Sequence, residues 1–253
     1  MRRIAYFTYG TASYVMFLGV FLYAIGFIGD FLVPTSLDSA PVEPPLVALG
    51  MNLVLLSVFA VQHSVMARPW FKQWWTRFVP KPIERSTYVL FSNLAMILLF
   101  AFWKPLGGTV WQIDGPLRIA LYAMYGLGWT TVLYATCLVN HFDLFGLRQV
   151  WLHLRSTPYT QLPFREPSLY KYVRHPLYVG WIMVFWFTPT MTVSHLFFAA
   201  ATTAYILIAI QFEERDLVKS LPGYAEYLQR VPMLIPAPTK DPIPAVDGQP
   251  IPR

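Results

Sequence analysis

Charge is scarce in this sequence. Only 13% of its 253 residues are Asp, Glu, Lys or Arg, where soluble domains carry roughly a quarter. Together with 56% hydrophobic and 17% aromatic residues, that excludes an ordinary soluble domain. Cysteine is almost absent as well. The single Cys137 rules out an internal disulfide. Within the run LYAMYGLGWTTVLYATCLV it reads as a small buried hydrophobe. Histidine occurs five times, never at the HxxxH or HxxHH spacing of membrane di-iron oxygenases. There is no HExxH zinc pattern, no GxGxxG after a strand, no P-loop and no GxSxG. These absences leave no metal site to expect. No internal repeat appears, and the polar residues do not gather at mid-span as they do in many transporters.

What the chain has instead is long apolar runs. A membrane-crossing helix needs about 20 mostly apolar residues in a row, and the sequence predicts spans at 5–29, 46–66, 86–103 and 117–140. A tighter pair follows at 176–188 and 194–212, with TPTMTVSH between them as a turn. The expected fold is all-α: a polytopic membrane protein of five to six transmembrane helices that ends in a helical hairpin. The first run is read as a retained span rather than a signal peptide. ARPWFKQWWTRF suits a short interfacial helix with Trp at headgroup level. Residues 1–237 read as one membrane domain, and 238–253 as a Pro-rich extended tail.

Seventeen of the 19 Lys and Arg fall in segments on one side of these spans, and only Lys104 and Arg118 on the other. By the positive-inside rule, both termini face the cytoplasm and the protein sits in the inner membrane. The net charge of +6 therefore reports topology rather than nucleic-acid binding.

The ionisable residues near span ends collect on that same side. His63 lies in VQHSVMARP, His141 and Asp143 in VNHFDLFG, Arg174 and His175 in RHPLYVG, and Glu213 and Glu214 in FEERDL. Charge beside a bilayer is costly and suggests function, although any single span end can be polar simply because the interface is wet. Pro176 suits the first position of a helix. Arg174 and His175 then stand at a helix N-terminus, which favours anions. Tyr178 and Gly180 follow on the first turns, and Gly180 allows a helix or a ligand to approach closely. The Glu213/Glu214 pair suits a cation or a ribose; the alternative is a solvated charge run. His195, on the outer turn, is given no role.

RHPLYVG, then EERDL, then YAEYLQRVPMLIP resemble the isoprenylcysteine carboxyl methyltransferase superfamily of membrane enzymes. FLYAIGFIGDFLVP, VQHSVMARPWFKQWWTR and NHFDLFGLRQVWLHLR are similar, within it, to the methanethiol S-methyltransferases, which make dimethyl sulfide. The HS…ARP pattern is shared with the NnrU-like branch. The resemblance implies S-adenosyl-L-methionine as cofactor and a cofactor-binding part over about 165–237. Carried over by motif, Arg174, His175, Tyr178, Gly180, Glu213, Glu214, Tyr224 and Tyr227 would line the pocket. It implies methanethiol as the partner molecule, in a setting of membrane lipid.

For that reaction the thiolate is the nucleophile, and its attack on a sulfonium methyl cancels charge, so a dry pocket suits it. A base is needed. The candidates are His141, oriented by Asp143 if the helix ends near Asn140, and His63. Asp143 has a second reading as a cap on the following helix. A methyltransferase for another thiol or a lipid, and a non-catalytic NnrU-like protein, remain as alternatives.

Overall fold

Proline sets the starts of half of the helices. In the computed structural model, which describes residues 1–237, five helices carry Pro in their first two positions, at Pro45, Pro69, Pro82, Pro116 and Pro176. There the missing N–H costs nothing and φ is already helical. The chain runs α1 (Arg2–Gly29), α2 (Pro45–Ala67), α3 (Pro69–Trp75), α4 (Lys81–Phe102), β1 (Thr109–Gln112) and α5 (Pro116–Val139). It continues with α6 (His141–Leu144), α7 (Leu147–Leu154), a 3-10 turn (Ser168–Lys171), α8 (Pro176–Trp186), β2 (Thr190–Thr192), α9 (Val193–Ser220) and α10 (Tyr224–Arg230). The tail expected over 238–253 lies outside the described residues.

The fold is an all-α, multi-pass membrane architecture. Helices α1, α2, α4 and α9 are each long and apolar enough to cross a bilayer. Large apolar residues such as Leu22, Leu46, Val61 and Ile208 point outward from them, as helices solvated by lipid require. The inner faces close on one core, in which Phe27, Leu99, Val184 and Ile210 are almost completely buried. Helix α5 has the length, at 24 residues, but Tyr, Trp, Thr and Gly dilute its apolar character.

Two expectations change. The expected helical hairpin is present with a short first arm: α8 is 11 residues long, about 16 Å, and runs antiparallel beside α9, Tyr178 meeting Glu213 and Trp186 meeting Thr203. Its most extensive packing is on α5. Gly128 of α5 and Gly180 of α8 face each other so tightly that a Cβ on Gly180 would lie 2.9 Å from the Gly128 carbonyl oxygen. The TPTMTVSH turn contains β2, which pairs antiparallel with β1; its Thr-Met-Thr suits an extended backbone. Finally, α9 runs on to Ser220, so Glu213 and Glu214 lie inside a helix rather than beyond its end.

The bundle has two chemically distinct ends. One holds the N-terminus, the aromatic helix α3, α7 and α10. The opposite end holds the β1–β2 pair, where Trp103 Nε1 donates to Ser194 Oγ at 3.1 Å. His195 is also here, completely buried, with Nδ1 2.9 Å from Asp38 Oδ2 and Nε2 3.0 Å from the Phe185 carbonyl. This ties the loop after α1 to the start of α9.

Candidate functional site

At the basic end, the His175–Pro176 junction fixes the first half of the site. Pro176 opens α8 with His175 as its N-terminal flanking residue. The backbone N–H groups of Arg174 and His175 donate to the carbonyls of Pro232 and Met233 at 2.9 and 3.2 Å. The segment after α10 is thereby laid against the mouth of α8. Arg174 does not reach outward. Its Nε donates to Glu214 Oε1 at 2.7 Å, and its Nη1 to the carbonyls of Leu228, at 3.0 Å, and Val231. The same Glu214 oxygen lies 2.9 Å from His175 Nε2. His175 and Glu214 are both buried, so Glu214 is a carboxylate enclosed between a guanidinium and an imidazole.

Its neighbour Glu213 faces a different setting. Tyr178 Oη donates to Glu213 Oε2 at 2.8 Å. Outside the spans, the Glu213 charge also acts on the hydroxyls of Tyr170 and Tyr224. Burial, then Glu213, pushes the Tyr170 hydroxyl above the ordinary phenol range. Burial, then Glu214 and Glu213, does the same to Tyr224. These phenols stay protonated around one carboxylate. Tyr227 serves as a pin: it is buried, its Oη donates to the Tyr170 carbonyl at 2.6 Å, and its ring packs with Phe164 and Tyr224.

His63 adjoins this group from α2. Tyr88 Oη lies 2.9 Å from its Nε2 and Ser92 Oγ 3.2 Å from its Nδ1. Its ring stacks on Phe59 at 5.2 Å, and the next residue, Ser64, meets Tyr205 Oη at 3.0 Å. Beside them an apolar groove of about 250 Å³ runs between α2 and α9, walled by Leu56, Phe59, Phe197 and Tyr205.

His141 and Asp143 form groups of their own. The α5 helix does end at Val139, because Asn140 takes φ 125°, a conformation Asn tolerates better than most residues. Asn140 Oδ1 then accepts from Asp143 N at 3.0 Å and caps α6. That break was expected to bring Asp143 onto His141, and it does not. Asp143 accepts from Arg148 Nη1 at 2.8 Å and from Tyr159 Oη at 3.3 Å. It is not the cap of α7 either, since Gly146 precedes that helix without a side-chain cap.

The partners of His141 are Thr136 and Tyr14, which sequence reasoning missed. Thr136 Oγ1 lies 2.7 Å from the Leu133 carbonyl and 2.8 Å from His141 Nδ1. When it donates to the carbonyl it accepts from Nδ1, the arrangement that puts the proton of neutral His141 on that nitrogen. Nε2 is left as the basic atom, 2.9 Å from Tyr14 Oη. Burial holds the His141 imidazole below its ordinary pKa, so it is neutral at pH 7. Phe17 and Phe145 enclose it. The sequence did not single out Tyr14, which is one of several Tyr, Thr and Ser residues within α1.

The structure thus brings Arg174, His175, Tyr178, Glu213, Glu214, Tyr224 and Tyr227 together, with His63 beside them. Gly180 sits at the α5 contact, where its missing side chain admits a helix.

The chain is 54% identical over 239 residues to a methanethiol S-methyltransferase of Crocosphaera subtropica, covering 93% of each protein. It is 52% identical over 240 residues to one of Mycobacterium tuberculosis, covering 94% of this chain and 98% of the relative. A more distant similarity, 28% over 181 residues, links it to Nurim of Sus scrofa, covering 68% of this chain and 69% of that protein. No family model matches the chain, and no solved structure matches it.

Proposed function

Because the chain belongs to the methanethiol S-methyltransferase family, we propose that it methylates methanethiol to dimethyl sulfide with S-adenosylmethionine as donor. The observation that carries this reading is identity of about half the residues across more than nine-tenths of the chain and of its relatives. The 17-to-2 split of Lys and Arg supports placing the basic end, with both termini, at the cytoplasmic face of the inner membrane.

The residues present fit such a donor. A sulfonium and a ribose diol ask for a carboxylate and aromatic faces, and Glu213 with Tyr178, Tyr170 and Tyr224 offers both. In this reading Glu213 and the tyrosines hold the donor. Arg174 and His175, by fixing Glu214 and the segment after α10, hold the wall of the site in place. When bound, S-adenosylmethionine supplies a methyl group on a positively charged sulfur.

The chain's own task is to produce a thiolate in a dry place. His141 Nε2, enclosed by Phe17 and Phe145, accepts the thiol proton through the Tyr14 hydroxyl. Thr136 holds the tautomer that leaves Nε2 free to do so. His63, through Tyr88, is the second candidate base. The apolar groove between α2 and α9 gives an uncharged thiol a way in from the bilayer.

The test is direct. Purified full-length protein, given methyl-labelled S-adenosylmethionine and methanethiol, should release labelled dimethyl sulfide into the headspace. Release no greater than that of a His175→Ala control would overturn the proposal. Labelled product with larger thiols but not with methanethiol would replace the substrate while keeping the reaction class.

A further inference from the structure

A cavity of about 580 Å³ opens at the basic end, and it shares no lining residue with the Glu213 group. Helix α3, the start of α4, α7 and the segment after α7 enclose it. Its size falls within the range of small-ligand pockets. Three cations, Lys72, Lys81 and Arg85, face it against the single carboxylate of Glu84.

Two features of the wall point to a ligand. Gln149 Oε1 and His153 Nε2 are buried atoms with no hydrogen-bond partner among the described residues, and both residues line the cavity. Gln149 is oriented by its other end, where Nε2 donates to the Asp143 carbonyl at 3.1 Å. His153 is held by stacking on Tyr6 at 5.4 Å. Buried polar atoms are normally satisfied, so a wall of this kind suits a guest with both acceptors and a donor. Burial, then the like charge of Arg85, pulls the Lys72 ammonium down to about 8, which an anion placed between them would relieve. The cavity also sits beside an interfacial helix: Trp70 and Trp74 of α3 are exposed, as they are at headgroup level.

We propose that this cavity binds the phosphate of a glycerophosphate, presented as an anionic lipid headgroup or as a free ester. Lys72, Arg85 and His153 Nε2–H meet the phosphate oxygens, Lys81 guards the rim, and Gln149 Oε1 accepts from a glycerol hydroxyl.

Full-length protein in detergent, exposed to equal phosphatidylglycerol and phosphatidylcholine, is examined by native mass spectrometry. Wild type should retain one phosphatidylglycerol with at least about tenfold preference, and the Lys72→Gln/Arg85→Gln double variant should lose about tenfold or more of that preference. If the double variant does not fold, Lys81→Gln at the rim should still weaken retention. Glycerol 3-phosphate is the second arm, read as a rise in melting temperature. A rise that the double variant or Lys81→Gln loses, without lipid preference, assigns the site to a soluble ester; lipid preference without that rise assigns it to a headgroup. Equal retention of both lipids with no response to glycerol 3-phosphate overturns the proposal. Undiminished phosphatidylglycerol retention in folded variants does so as well.

Discussion

At the scale of single residues, hydroxyl groups rather than carboxylates meet the ring nitrogens of His141. We propose that its proton sits on Nδ1, with the Thr136 hydroxyl donating to the Leu133 carbonyl. The depressed pKa of the imidazole, caused by burial, then sets the pH behaviour. Above its folded pKa the ring is neutral and can take a proton; as pH falls through that value, which lies below the ordinary 6.5, activity should be lost. The turnover–pH profile should therefore have an acid limb with its midpoint below 6.5, abolished in His141→Gln. That variant should cost about 100-fold or more in turnover. Tyr14→Phe should weaken turnover and move the limb, whereas Asp143→Asn should leave the limb where it is, because Asp143 faces Arg148. The linkage has the same sign for stability: the unfolded chain takes up a proton near 6.5 that folded His141 refuses, so this residue's contribution is intact above that pH and declines below it.

Glu214 carries a prediction of another kind at the same scale. Glu214→Gln leaves the Arg174 guanidinium partly buried without its counter-charge, and breaking such a pair costs about 3–5 kcal/mol. Thermal unfolding in detergent should fall clearly. Glu213→Gln, which removes the charge but keeps an oxygen that can accept from Tyr178 Oη, should melt close to wild type.

At the scale of elements, the helices were legible where composition alone decides. Long apolar runs, all but the first opened by Pro, marked α1, α2, α4 and α5 to within about five residues, and the short segment expected at 176–188 is α8 at Pro176–Trp186. The main packing partner of α8 was not legible, because it is set by tertiary contact. Nothing local to Gly180 says that Gly128 lies opposite. Likewise the Thr-Met-Thr of β2 becomes a strand only because Thr109–Gln112 is there to pair with it. Gly180→Ala places a methyl 2.9 Å from the Gly128 carbonyl oxygen and from Val132. Overpacking of this kind costs about 1–3 kcal/mol. The variant should melt lower, and Gly128→Ala, which touches the same contact at 3.0 Å, should behave alike and not add fully to it.

At the scale of the molecule, the sequence motifs indicated which side chains share an end but not which side chains share a hydrogen bond. RHPLYVG and FEERDL do meet, as Arg174, His175 and Tyr178 meet Glu214 and Glu213. Of the partners of His141, Thr136 lies five residues back and is met only because the chain turns at Asn140, while Tyr14 comes from α1, a separation of 127 residues that no local pattern encodes. We propose a division of labour in which Glu213 and its tyrosines hold the methyl donor and His141 with Tyr14 handles the proton of the acceptor.

Calorimetric titration of S-adenosylmethionine into full-length protein, without thiol, tests that division most directly. Wild type and His141→Gln should bind the donor equally, although only wild type turns over, and Glu213→Gln should bind at least about tenfold more weakly. Donor binding that survives Glu213→Gln unchanged, or that disappears in a folded His141→Gln protein, would contradict it.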